Sequence, residues 1–267
     1  MFKRILKYFT KLEWTLWLTG IIVVTVGFAV TEDRSVLSYC SSLAGITCVM
    51  INAKGNVAGQ FVSVLFSTLY AVYAYTQHLY GEMIIYFALM VPIHVISIFT
   101  WIRNRFDGKS HEVKINKLKA LEYILMVIGS VAATFAFYFL LRALNTDNLI
   151  VSTISLITSL AAAYLMLRRC EYYSICFIAN DAVLIVLWSM KIPYTGLSVL
   201  PSVLCFSVFL IIDGYSFISW RKMRKRQAAA TLAREQDTVS ESENAQRSEE
   251  SDTAETTEKN AEESTAE

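Results

Sequence analysis

The chain has 267 residues, 55% of them hydrophobic, with a mean hydropathy of +0.44 and a formal charge of +1. That is too apolar for an ordinary soluble domain of this length, and it excludes a chain whose work is done on nucleic acid. Five cysteines with no close pairing of metal-ligand spacing exclude a disulfide framework, and neither a metal nor a cofactor is expected.

The apolar residues fall in eight blocks: 14–30, 36–51, 57–76, 83–102, 120–141, 149–167, 172–190 and 197–220. Each approaches the roughly 20 residues that cross a hydrocarbon core of about 30 Å. Without water in that core the backbone must bond to itself, so the blocks predict helices. The first follows Lys3, Arg4, Lys7 and Lys11. With no small-residue cleavage site near Val30, it reads as a membrane helix and not a signal peptide.

The second block runs into the turn Asn52-Ala53-Lys54-Gly55-Asn56. Gln60 follows one turn into the third block, where it either faces a cavity or bonds a helix end. The fourth block carries His94, about 17 Å from its outer end at helical rise. Pro92 lacks a backbone N–H, so a kink is expected beside that histidine. His94 there suits a binding site or gate, or a satisfied packing position. Glu82, Glu171, Trp101 and Trp220 fall near block ends, where interfacial anchoring is the expectation.

The seventh block contains "ICFIANDAVLIVLW", Ile175 to Trp188. Asp181 lies about 14 Å from the inner end of its helix, near the bilayer midplane. Inserting a carboxylate there costs about 2.5–3.5 kcal/mol, so a polar cavity or a partner must offset it. Asn180 and Asp181 are therefore read either as substrate or ion contacts or as a tie between helices. Tyr173 and Cys176 share a helical face with Asn180, and Trp188 lies on the neighbouring stripe. These aromatics either stack on a ring-shaped substrate or pack. Asp213, in the last block, is expected to pair with a neighbouring helix.

Charge orients the blocks. With the N-terminus inside, cytoplasmic segments hold 18 basic residues and the outer loops three, namely Arg34, Arg142 and Lys191. This predicts eight crossings with both ends cytoplasmic in the cell membrane. Residues 228–267 hold 12 acidic and 3 basic side chains and no aromatic. Such a segment cannot bury a core and is expected to be disordered.

Two stretches share landmarks. One runs from Met50 in "MINAKGNVAG" to Trp101 in "SIFTW", the other from Met166 in "MLRRCEYYS" to Trp220 in "SFISW". Each holds three helices, so a second copy would be inverted unless the block at 120–141 restores its orientation. The predicted organisation is an extra helix in 1–35, a three-helix repeat in 36–102, a loop and inverter helix in 103–148, a second repeat in 149–226 and an acidic tail in 227–267. Parallel repeats of this kind are a transporter architecture of the SWEET type. No nucleotide-binding loop, zinc-protease motif or nucleophile elbow is present, so no enzyme is expected.

"GITCVMINAKG", "LYGE", "VPIHVISIFTW" and "LMLRRCEYY", followed by Asn180, resemble the PnuC family of nicotinamide riboside transporters over residues 36–226. The resemblance implies a SWEET-like fold and facilitated import of a vitamin B3 nucleoside by alternating access. It also implies a cytoplasmic kinase that traps the product. It implies that Asn180 is an inherited polar contact to the ribose or amide of a ligand; Gln60, His94, Tyr173, Cys176, Asp181 and Trp188 are candidate substrate contacts from their depth and helical faces. The departures fall in the same places. The family usually reads Asn-Tyr at Gly59-Gln60, Gln at His94, an apolar residue at Asp181 and two tryptophans where this chain has Tyr173 and Cys176. Thiamine, riboflavin or a deoxynucleoside are therefore alternative cargoes, and a non-transporting sensor or docking protein is the alternative role. The expected partners are the lipid bilayer and the small-molecule substrate, with no nucleic acid; a homo-oligomer is compatible with the sequence.

Overall fold

Each apolar block is helical in the computed structural model, which describes residues 8–31, 35–107 and 111–264, with side chains through 241. The basic residues Lys3, Arg4, Lys7, Arg34 and Lys109 of the charge balance lie outside the described residues. The helices are α1 (Lys11–Val30), α2 (Val36–Asn52), α3 (Ala58–Thr76), α4 (Tyr80–Arg103), α5 (Ala120–Ala143), α6 (Leu149–Leu167), α7 (Tyr173–Ser189) and α8 (Leu200–Ser264). A short helix, Ile192–Thr195, and a 3-10 turn, Gly196–Val199, connect α7 to α8. Among the described residues there is no strand, only isolated bridges from Asn56 to Glu112 and from Arg105 to Val113.

Among the described residues, five helical stretches are long and apolar enough to cross a membrane: α1, α4, α5, α6 and the run Tyr173–Glu241; α2 is apolar but shorter. The outward faces match that solvent. On α5, Leu121, Ile124, Leu125, Val127, Ile128, Val131 and Phe135 are exposed, while Ser130 and Thr134 turn inward. Helices in lipid gain little from burying more hydrocarbon and associate instead through close packing and polar contacts. The small buried residues Ser38, Ser41, Ser42, Ser63, Ser67, Ser152, Ser155 and Ser159 along α2, α3 and α6 fit that rule.

Residues 1–222 form one compact unit and 223–267 a second. The first has two apolar centres. One gathers Tyr70, Tyr73, Trp188 and Phe206; the other gathers Trp101, Met166, Tyr173 and Trp220. α1 packs on this unit and is tied to it by polar contacts at its N-terminal end. Thr10 and Glu13 form a capping box, and the Glu13 carboxylate accepts from Lys54 Nζ (2.9 Å) and from the Tyr215 hydroxyl (2.7 Å). The Lys54 ammonium also lies 4.9 Å from the centre of the Tyr8 ring. Arg168 at the end of α6 pairs with Glu122 in the first turn of α5.

Three expectations change. The distortion expected at Pro92 appears one turn earlier, as a π-helical segment, Ile85–Met90, before the α-helical stretch Val91–Arg103. A proline withholds one N–H from the preceding turn, and a wider turn accommodates the loss. Trp101, Trp220, Glu82 and Glu171 are buried instead of anchoring at an interface. The tail expected to be disordered is helical through Ser264, because its Ala, Glu, Gln, Arg and Lys residues are good helix formers even where nothing apolar can be buried.

Candidate functional site

A cavity lies between α2, α3, α4, α6, α7 and α8. Its polar lining is Asn52, Ser63, His94, Asn180, Asp181 and Asp213, and Tyr86, Phe66, Tyr173, Phe177 and Phe209 supply aromatic walls. No Lys or Arg is among the lining residues.

One wall is a directed chain of hydrogen bonds. The Gly59 carbonyl can only accept, and it takes the Ser63 hydroxyl proton (2.9 Å). Ser63 Oγ in turn accepts from Asn52 Nδ2 (3.0 Å). Asn52 Oδ1 accepts from Gln60 Nε2 (3.1 Å), and Gln60 Oε1 accepts from His94 Nδ1 (2.9 Å). The backbone anchor thus sets every polarity along the chain. In the neutral ring, His94 carries its proton on Nδ1, and Nε2 is an acceptor. The chain needs α2 and α3 in close contact. A Cβ on Gly59 would sit 2.2 Å from Asn52 Oδ1, so only glycine leaves room for that amide.

The facing wall is built differently. Asn180 Oδ1 accepts from Thr158 (2.9 Å), Ser159 (2.9 Å) and Ser155 (3.4 Å), all on α6. Asp181 and Asp213, both almost fully buried, bring their carboxyls into hydrogen-bonding contact across α7 and α8. Oδ2 of Asp181 has no partner. Below them the Tyr173 hydroxyl pairs with Ser216 Oγ (2.7 Å), and Ser174 donates to the same serine (3.0 Å).

Of the seven residues singled out from the sequence, His94, Tyr173, Asn180 and Asp181 line the cavity. Gln60 stands one layer back and orients His94. Cys176 is half-buried against the apolar centre around Trp101 and does not line the cavity. Trp188 is fully buried elsewhere, stacked on Tyr73 at 5.1 Å and donating to the Tyr70 hydroxyl (2.8 Å). It packs between helices because its indole N–H found a partner there. Sequence reasoning placed Asn52 in a turn and Asp213 in a packing role, and it passed over Ser63, Phe66, Tyr86 and Phe209. A mid-helix carboxylate in each of two apolar blocks was the signal available for Asp213.

Residues 35–222 match the family described as nicotinamide mononucleotide transporter. A nicotinamide riboside transporter PnuC from Neisseria mucosa is 28% identical over 218 residues, covering 80% of this chain and 82% of the relative. A protein of the same name from Haemophilus influenzae is 24% identical over 212 residues, covering 79% and 90%. A crystal structure of the vitamin B3 transporter PnuC superposes with a TM-score of 0.73 at 26% identity, covering 82% of this chain and 94% of that one.

Proposed function

The chain belongs to the nicotinamide mononucleotide transporter family, and from that premise we propose that it carries nicotinamide riboside, or a closely similar vitamin or nucleoside, by facilitated diffusion. It is a membrane transporter and not an enzyme. The family description names a mononucleotide, whereas the curated relatives are named for the riboside. The sign of the cavity favours the riboside. Two carboxyl groups and, among the described residues, no Lys or Arg line it, so the phosphate of a mononucleotide would meet like charge in a poorly hydrated space. A riboside brings hydroxyl and amide donors, which suit the Nε2 acceptor of His94. Thiamine, with a cationic ring and no required phosphate, satisfies the same argument and is the second reading.

The architecture we infer is eight crossings, with α2–α4 and α6–α8 as parallel three-helix repeats, α5 as the inverter and α1 outside them. Its support is a reciprocal pair of contacts. The Trp101 indole donates to the Met166 carbonyl (3.2 Å), and the Trp220 indole donates to the Asn52 carbonyl (3.0 Å). Each carbonyl also accepts a turn N–H three residues on, from Arg169 and Gly55, and both of those residues have φ near +60° (57° and 63°). The closing tryptophan of each half thus reaches the first cytoplasmic turn of the other. Alternating access would be a rocking of these halves about the cavity. Both termini are assigned to the cytoplasm of a cell-membrane protein from the basic-residue asymmetry. A cytoplasmic kinase would make uptake one-way, because a phosphorylated product fits the cavity poorly.

Purified protein in vesicles without ATP or ion gradients tests this. Labelled nicotinamide riboside should equilibrate to the outside concentration, and the mononucleotide should enter far more slowly. Equal entry of both would overturn the assignment of the riboside, accumulation driven by a gradient would overturn facilitated diffusion, and entry of neither riboside nor thiamine would favour a sensor or docking role.

A further inference from the structure

We propose that Asp181 and Asp213 together form a charge-reading subsite within the cavity, one that takes the cationic ring of a heteroaromatic ligand and discriminates against a neutral ring of the same shape. The inference rests on the transport reading above and assigns the element that sets its selectivity.

The residues come from different helices and converge. Asp181 lies in the middle of α7 and Asp213 in the apolar part of α8. Both line the cavity, both are 2% exposed, and their carboxyls are in contact. Two carboxyls so close cannot both be ionised without a positive charge beside them. A tie between the helices uses one oxygen of each carboxyl, and Asp181 Oδ2, buried in the cavity wall, receives no amide or hydroxyl donor. A buried unpartnered carboxylate oxygen is costly, and a ligand that satisfies it recovers that cost on binding.

The surroundings select the kind of cation. Phe66, Tyr86, Phe177 and Phe209 supply aromatic walls, which suit the faces of a planar ring and stabilise positive charge on it. Nothing in the lining supplies the crowd of oxygens that a small hard metal ion requires: among the described residues no group of three or more His, Cys, Asp or Glu side chains could hold a metal. The ligand class is therefore a flat monocation, such as an N-substituted pyridinium or a thiazolium.

The subsite is tested with nicotinamide riboside, whose ring carries a fixed positive charge, and its dihydro form, which is neutral and keeps the same substituents. Both are titrated calorimetrically against the detergent-solubilised full chain, and then against Asp181→Asn and Asp213→Asn, with intrinsic tryptophan fluorescence reporting the fold. Wild type should bind the cation at least about tenfold more tightly than the dihydro form. Either substitution should weaken the cation about 10- to 100-fold, the scale of losing a close opposite charge in a partly dry site, and shift the dihydro form by about twofold or less. Equal affinity of wild type for the two rings would overturn the subsite while leaving transport standing, and that comparison needs no variant to fold. Equal losses of both rings in the variants would overturn it too, and would make the pair a tie between helices. Failure of wild type to bind either ring would remove the riboside assignment and this inference together.

Discussion

The helices α2–α4 and the helices α6–α8 join each other in the same way and meet the cavity in opposite ways. At the joint each offers a turn carbonyl to the other's tryptophan, and each holds a buried serine four residues before that tryptophan, Ser97 and Ser216. One turn further in, at the residue three before each serine, the likeness ends. The first half presents His94, held by a neutral amide–hydroxyl relay; the second presents Asp213, facing Asp181. The backbone joints are duplicated because they solve a problem common to both halves, namely closing helix ends away from water. The side chains that meet cargo are not duplicated, because a single asymmetric molecule occupies the space between them. Function is therefore legible where the likeness stops.

The duplicated joints can be broken one at a time. Trp101→Ala and Trp220→Ala each remove a fully buried indole and its hydrogen bond, with an expected destabilisation of about 3–5 kcal/mol and a matching loss of uptake. The two losses should be alike in thermal unfolding of the detergent-solubilised protein; a large effect from only one would end the comparison. Gly59→Ala should follow, at about 1–3 kcal/mol, since the new methyl must displace the Asn52 amide. Riboside affinity should fall with it as the relay to His94 is broken, which titration measures directly. Tyr173→Phe deletes a hydroxyl bonded to Ser216, with an expected cost of about 1 kcal/mol, and should leave Kd within a few-fold. Truncation after Gln227 should be nearly silent in vesicle uptake. It removes most of the second unit, 223–267, and spares every cavity residue.

The helices were readable because hydrocarbon demands self-bonded backbone, a requirement written as long apolar blocks. The pair Asn180-Asp181 was readable for the complementary reason, as polar residues where polarity is costly. The partners were harder. Asp213 and Asp181 sit on different helices, and nothing local in either block ties one to the other. Asn52 ends α2, and its sequence neighbours Lys54 and Gly55 make it look like part of a turn. Side chains on a helix incline toward its N-terminus, so a residue at the C-terminal end of α2 projects back along the helix and reaches the cavity. Trp188 misled in the other direction: depth and stripe were right for a ligand contact, but Tyr70 and Tyr73 from α3 already occupied both its N–H and its face. The tail was misjudged because composition that forbids a core does not forbid a helix.

The reciprocal tryptophans also impose an order in time. The Asn52 carbonyl is made 168 residues before the indole that covers it. At about 5–20 residues per second, a nascent chain waits on the order of ten seconds for that contact. Throughout the interval the carbonyl at the first turn lacks its indole, and the Trp101 indole likewise waits for the Met166 carbonyl. Neither half can finish alone. The cavity is complete only after the last helix arrives, because α8 supplies Phe209 and Asp213 to its lining.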